Sequence, residues 1–496
     1  MVVARLQLHF RRAALACALA ALFLLVPRSG FSADSDCCSD LEARIAELEQ
    51  TVVGKGNRKV NVELAGAVSR AVLSWDDGQN TDSYVVTNDG EGSKIEITGE
   101  AEHFNRANWS AGFHIEINVQ GAGSGDVNQF DDDIPRELKI DESQIWLRHR
   151  KFGQLTWGFV GGTGENAEDL TEDDLSDTTT AGYSGVEDVG GGFFLRRSNV
   201  RGVPGLLPVV WGDFIDHLPG IDGTIARYDT PFYRGFEANA TYGMDDEWQL
   251  ALNWVSEPEE NSEENPEIAE AEPMEVNSGA YPAQTGLLKI FHITGTVGLF
   301  DIRDVPVDQA EAEANLLATG TASEPNNRTV AGSLSVLHKP SGISLTGAAA
   351  RRKFTSSVRF NDDEVGRPND SWFYYFKLGW QRNLNHLGKT AFYAEYGSFN
   401  QFLGRDADEE AVSALAGIDE DAVCASARSA CLVSGSNATI WGLGVVQFVK
   451  SAEMQLYTAY RHYEPDVSLS SRRGAGVGSV PLDPFQTIMT GALIDF

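Results

Sequence analysis

Residues 161–180 read GGTGENAEDLTEDDLSDTTT, where Glu165, Glu168, Asp169, Glu172, Asp173, Asp174 and Asp177 put seven acids and no base into 13 positions. Carboxylates at that density attract cations and repel anions, and against a low-dielectric wall they set the selectivity of a pore. The same acids would equally solvate a surface loop, so the elements around them must decide. So many carboxylates also suit a calcium ion, but the ligand order of an EF-hand is missing and no metal is expected. Candidate counter-charges are Arg148, Arg227, Arg352, Lys377 and Arg461. Arg352 shares a strand face with Ser344 and Thr346, Arg461 with Gln455 and Tyr457, while Arg227 opposes Ala226 and Tyr228. Across water from the acids they would create a transverse field; the plainer alternative pairs each with a nearby acid.

Other chemistry is poorly represented. The chain has nine His, and no GxSxG, HExxH or GxxxxGK[ST] stands in it, so neither catalysis nor a cofactor is expected. Cys424 and Cys431 lie in CASARSAC and are expected to close a local disulfide in an oxidising compartment. Cys37 and Cys38 are candidates for bonds between subunits. Neither spacing is that of a zinc site.

What positions the acids is a long series of strands. In 109–120, WSAGFHIEINVQ, Trp109, Ala111, Phe113, Ile115, Ile117 and Val119 alternate with Ser110, Gly112, His114, Glu116, Asn118 and Gln120. Similar stretches fall at 60–68, 93–104, 138–150, 153–160, 222–230, 235–243, 247–256, 288–301, 328–338, 342–354, 371–382, 389–400, 438–449, 452–464 and 485–496. That makes about 16 strands, long enough to cross a bilayer when tilted. Short connections such as KPSG (339–342) and NHLG (385–388) alternate with long ones at 76–92, 121–137, 161–221, 302–327, 355–370, 401–437 and 465–484. This rhythm predicts a transmembrane antiparallel β-barrel with short periplasmic turns and long outer loops. A secreted sandwich would alternate too, but over shorter strands. The acidic stretch 257–287 breaks the rhythm and reads as a disordered insertion. The final GALIDF sets Phe496, Ile494 and Ala492 on one face, and a terminal strand needs a partner; in a closed barrel that partner is the first strand.

The amino end reads as export machinery. Arg5, Arg11 and Arg12 precede the apolar run Ala13 to Val26, so 1–33 is expected to be a cleaved signal peptide. In 34–57, Leu41, Ile45, Leu48 and Val52 have the spacing of a short coiled coil, which needs partners to be stable. The barrel would then occupy 58–496. Lys plus Arg total 39 against 72 Asp plus Glu, a net charge of −33, which excludes nucleic acid as a natural partner.

The ordered set DLEARIAELE (40–49), KGNRKV (55–60), SWDDG (74–78), YVVTNDG (84–90), WSAGF (109–113), RYDTPFYRGF (227–236), GMDDEW (243–248), HKPSGISLT (338–346) and the final Phe resembles the trimeric general porins of alphaproteobacterial outer membranes. The resemblance implies a sixteen-stranded homotrimer in outer-membrane lipid that passes small hydrophilic solutes and ions by passive diffusion. It also implies a third loop, here 161–221, folded into the lumen as a constriction, and Phe496 as the signal read by barrel-assembly machinery. With the acids above, the expected channel is weakly cation-selective. A substrate-specific channel, or a non-conducting structural or tethering barrel, is the alternative.

Overall fold

The computed structural model describes residues 60–496 apart from 91, 102–107, 135–136, 161–173, 179, 182–187, 199, 201, 203–204, 216–220, 222, 244–246, 258–281, 283–285, 304–325, 356–357, 361–362, 367–368, 404–414, 416–430 and 472–477. The expected signal segment, the coiled coil, Glu165, Glu168, Asp169, Glu172, Asp173 and Cys424 lie outside these residues, and of Cys431 only the backbone is described.

One sheet of 18 strand segments closes on itself. Two pairs of segments are halves of one wall strand, so the wall is a closed sixteen-stranded antiparallel barrel. The strands are β1 (Asn61–Asp76), β2 (Thr81–Val86, then Lys94–Ala101), β3 (Trp109–Gln120) and β4 (Glu137–His149). Next come β5 (Gly153–Val160), β6 (Gly223–Asp229), β7 (Phe236–Gly243) and β8 (Trp248–Val255). They are followed by β9 (Phe291–Ile302), β10 (Asn327–His338), β11 (Ile343–Phe354) and β12 (Ser371–Arg382). The last four are β13 (Thr390–Asn400), β14 (Cys431–Val449), β15 (Met454–Ser471) and β16 (Gly478–Val480, then Phe485–Asp495).

Residue alternation explains the wall. On β11 Ser344, Thr346, Ala348 and Ala350 are buried, facing inward, while Ile343 and Leu345 are exposed. An exposed oily stripe around the whole cylinder is unfavourable in water and is what hydrocarbon requires. The seam joins β1 to β16 from Ala67↔Asp495 to Asp76↔Gln486. Phe496 N donates to Gly66 O at 2.9 Å and Gly66 N to Phe496 O at 2.9 Å, so the terminal residue is tied to the first strand through both its N–H and its carbonyl.

Two expectations need correction. The first strand extends to Asp76 rather than stopping near 68, and the expected long loop over 76–92 is a tight turn followed by half a strand. Arg70 on the outward face hides the alternation of β1, and DDGQN is turn chemistry: Asp77 Oδ1 accepts Asn80 N at 2.7 Å. β2 is then interrupted. Thr87–Ser93 leaves the wall, and Arg70 Nη1 closes the notch by donating to Thr87 Oγ1 and Ser69 O, each at 2.7 Å. The stretch 257–287 leaves β8 and enters β9 at the end of the barrel that carries the start of β1 and the end of β16.

Candidate pore lumen

Past β5, Asp174 stands against the opposite wall. Lys377 of β12 donates Nζ to Asp174 Oδ2, and both side chains are nearly inaccessible, 2% and 5% exposed. Thr346 Oγ1 of β11 donates to Asp174 Oδ1 at 2.8 Å, and Leu175 N donates to Ser335 Oγ of β10 at 3.1 Å. Farther on, Tyr393 OH of β13 donates to Ala181 O at 2.7 Å, Asn88 Nδ2 to Thr180 O at 2.7 Å, and Tyr463 OH of β15 to Val189 O. The described residues between Asp174 and Val189 are therefore seated inside the wall over an arc from β10 to β15. Gly379 makes room: a Cβ there would collide with Ser176 of the loop and with Ser344 Oγ.

The seat rests on a belt of charge. Thr346, Lys377, Glu395, Gly442, Arg461 and Thr487 stand opposite one another in sequence across β11 to β16. Gly442 has no side chain, so Arg461 reaches past it to Glu395, with Nε to Oε1 at 2.7 Å and Nη2 to Oε2 at 3.2 Å. A Cβ at Gly442 would meet Glu395 Oε1. Tyr375 OH donates to Glu395 Oε2 at 2.6 Å. A buried pair so well bonded offsets much of its desolvation.

Beyond the belt the loop carries its own hairpin, Phe194–Arg196 against Leu206–Val210. It packs as a hydrophobic core within the barrel. Phe193 lies 5.2 Å from the Trp75 ring and 4.9 Å from Phe485, and Trp211 lies 5.4 Å from Tyr463. Arg196 Nη2 pairs with Asp77 Oδ2 at 2.6 Å, which ties the hairpin to the first turn of the wall.

The five wall cations all stand on inward faces. Lys377 and Arg461 are the two just described. Arg227 Nε meets Asp229 Oδ1 at 2.7 Å, and Arg148 Nε donates to Gln154 Oε1 at 2.7 Å while stacking 4.7 Å over Trp146. Arg352 stands opposite Thr329 and Ser371. Of the acids, Asp174 is buried on Lys377, and Asp177 pairs with Lys389 Nζ at the rim of β13. The structure thus pairs each of these two loop acids directly with a wall cation. Glu395 and Lys389 were not singled out from the sequence. A lone acid between Tyr393 and Phe399 on the inward face of β13 was the available signal for Glu395.

A family model for Gram-negative porins matches residues 16–467. The chain belongs to the Gram-negative porin family. No curated protein matches it at a significant level. Among solved structures the porin is similar to the anion-selective porin from Comamonas acidovorans, at 14% identity and TM-score 0.48, covering 88% of this chain and 100% of that one. It is also similar to OmpT of Vibrio cholerae (10% identity, TM-score 0.45, 88% and 98% covered). OmpF of Salmonella typhi, in complex with daunomycin, is a third (9%, 0.41, 88% and 98%). Membership makes this porin a bacterial outer-membrane protein and a channel for diffusion.

The porin's interrupted strand supplies a second seat for the loop, beside the buried carboxyl of Asp89. Asp89 N donates to Ser124 Oγ at 3.0 Å, Ser124 Oγ donates to Asp188 O, and Gly190 N donates to Ser124 O at 2.9 Å. Burial pushes the Asp89 carboxyl up to about 8; the Gly125 N–H opposes this, and the charges of Asp126 and Asp188 add to it. The folded state therefore holds a proton that the unfolded chain releases near the ordinary carboxyl value of 3.8. Stability falls as pH rises between those two values and levels off above the upper one. In detergent, the unfolding midpoint of wild type should drop between about pH 4 and about pH 8, and Asp89→Asn should remove most of that slope. Parallel slopes in the two proteins would refute this role.

Proposed function

We propose that the porin is a passive channel for small hydrophilic solutes that prefers cations, assembles as a homotrimer, and uses loop 161–221 as its constriction. The observation that carries this reading is the bond of Asp174 to Lys377. Residues 161–173, with five of the seven acids, join Val160 of β5 to a residue seated on β11 and β12, on the far arc of a sixteen-stranded wall. On this reading those acids act on ions in the lumen and favour cations. Phe496, tied into the seam, is the matching candidate for recognition by the assembly machinery.

Single-channel recording in a salt gradient tests the selectivity. Wild type should show a reversal potential on the cation side, and the combined change Glu168→Gln, Asp169→Asn, Glu172→Gln and Asp173→Asn should move it toward zero. An unchanged potential rules out this constriction. The inner hairpin favours one other reading, a barrel too filled to conduct, which would give no current in planar bilayers.

A further inference from the structure

Away from the loop, three carboxylates form a straight row on the lumen face. Glu96 of β2, Glu116 of β3 and Glu142 of β4 are direct cross-strand neighbours. Thr98, His114 and Gln144 form the next row. Like charges directly opposite weaken a sheet, yet the backbone favours this alignment. A bulge between Glu116 and Ile117 leaves Asp141 as the extra residue and brings Glu142 into line with Glu116.

Cationic and imidazole nitrogens hold the row together. Lys94 Nζ lies 2.7 Å from Glu96 Oε1 and 3.2 Å from Glu116 Oε2. His114 Nε2 lies 3.6 Å from Glu142 Oε2, and its Nδ1 is 3.2 Å from Thr98 Oγ1. One donor atom from each of Glu96, His114 and Glu116 falls within 4.8 Å of the others. Lys94, Glu96 and His114 keep roughly a quarter to a third of their side-chain surface open, so an ion in the lumen can reach them.

We propose that Glu96, His114 and Glu116 bind a first-row divalent transition-metal ion on the pore wall, with Lys94 as its built-in competitor. An imidazole among carboxylates selects zinc-like ions over calcium and magnesium, which take oxygen alone. Thr98 steadies the ring from behind, as outer-shell partners of metal-bound histidines do. Lumen water completes the shell. A dication replacing the Lys94 ammonium between the carboxylates neutralises the row more fully than Lys94 does. Bound there, it would also narrow and recharge that side of the channel.

The test uses the full-length porin in detergent with Zn²⁺ as probe, read by competition with a zinc-sensitive dye and, separately, by Zn²⁺ block of single-channel current. Wild type should bind, His114→Ala should weaken binding at least about tenfold, and Lys94→Met should tighten it by a similar factor. Heat-modifiable migration verifies the fold of each variant; should His114→Ala fail to fold, Glu116→Gln stands in with the same expected loss. Binding unchanged in His114→Ala, no tightening in Lys94→Met, or an adventitious ion lost only in His149→Ala would each overturn the proposal. The binding readout does not depend on cation preference.

Discussion

Lys377→Met is expected to raise single-channel conductance markedly while leaving the barrel folded. Among the described residues, Asp174 is buried against Lys377 with Ser176 and Thr346 as its other donors. Burial pushes this carboxyl up, but the Lys377 charge and the hydrogen bonds from Lys377, Ser176 and Thr346 outweigh burial and hold it below the usual range. Removing one partner of a buried pair costs about 3–5 kcal/mol. The loop can escape that cost by leaving the wall so that Asp174 meets water; the strand, paired on both sides, cannot. Asp174→Asn leaves Lys377 as the buried charge, but Glu395 stands opposite Lys377 on β13, so this variant should open the channel less. Low pH should mimic the lysine variant, since a depressed carboxyl contributes stability that is lost as pH falls through its lowered value. That is the opposite sign to Asp89, so the loop should be most firmly seated at mildly acidic pH. Conductance unchanged by Lys377→Met would show that the loop does not depend on this bond.

Arg461→Met should damage the barrel itself. Glu395 would lose both guanidinium bonds inside the wall and keep only Tyr375 among the hydrogen bonds described above. The expected loss is about 3–5 kcal/mol, seen as a lower unfolding midpoint and poorer refolding. The double change Arg461→Met with Glu395→Leu removes both charges and should recover most of it, as apolar replacements of buried pairs often do. A double variant no better than Arg461→Met alone would mean that the pair matters for shape rather than for charge.

Most of the wall was legible because its physics is local. A strand with lipid on one side and a mixed interior on the other alternates with a period of two, and 109–120 and 371–382 match β3 and β12 to the residue. Legibility failed where one face lost its lipid or carried an odd residue. β14 and β15 run on past the expected 438–449 and 452–464, and their extensions contain Ser436 and Asn437 facing Val467 and Asp466 rather than an oily stripe. Arg70 disguised the second half of β1. The inner hairpin could not be read as such, because Phe194–Arg196 and Leu206–Val210 are too short for periodicity to speak. In the lumen, parity located the cations, but not their partners: Arg461 reaches Glu395 across β14, a pairing that exists only because Gly442 is bare.

The core formed by Trp75, Phe193, Trp211, Tyr463 and Phe485 gives this cylinder two unlike sides. Along the arc from β14 round to the outer half of β2 buried apolar side chains pack the described interior. Lys94, Glu96, Arg148 and Arg227 line the other arc and keep contact with water. Strand number therefore overstates the aperture. Permeant molecules would meet an eccentric crescent, with a stiff apolar bank on one side and a charged bank on the other, and dipolar solutes would be turned as they pass between the two.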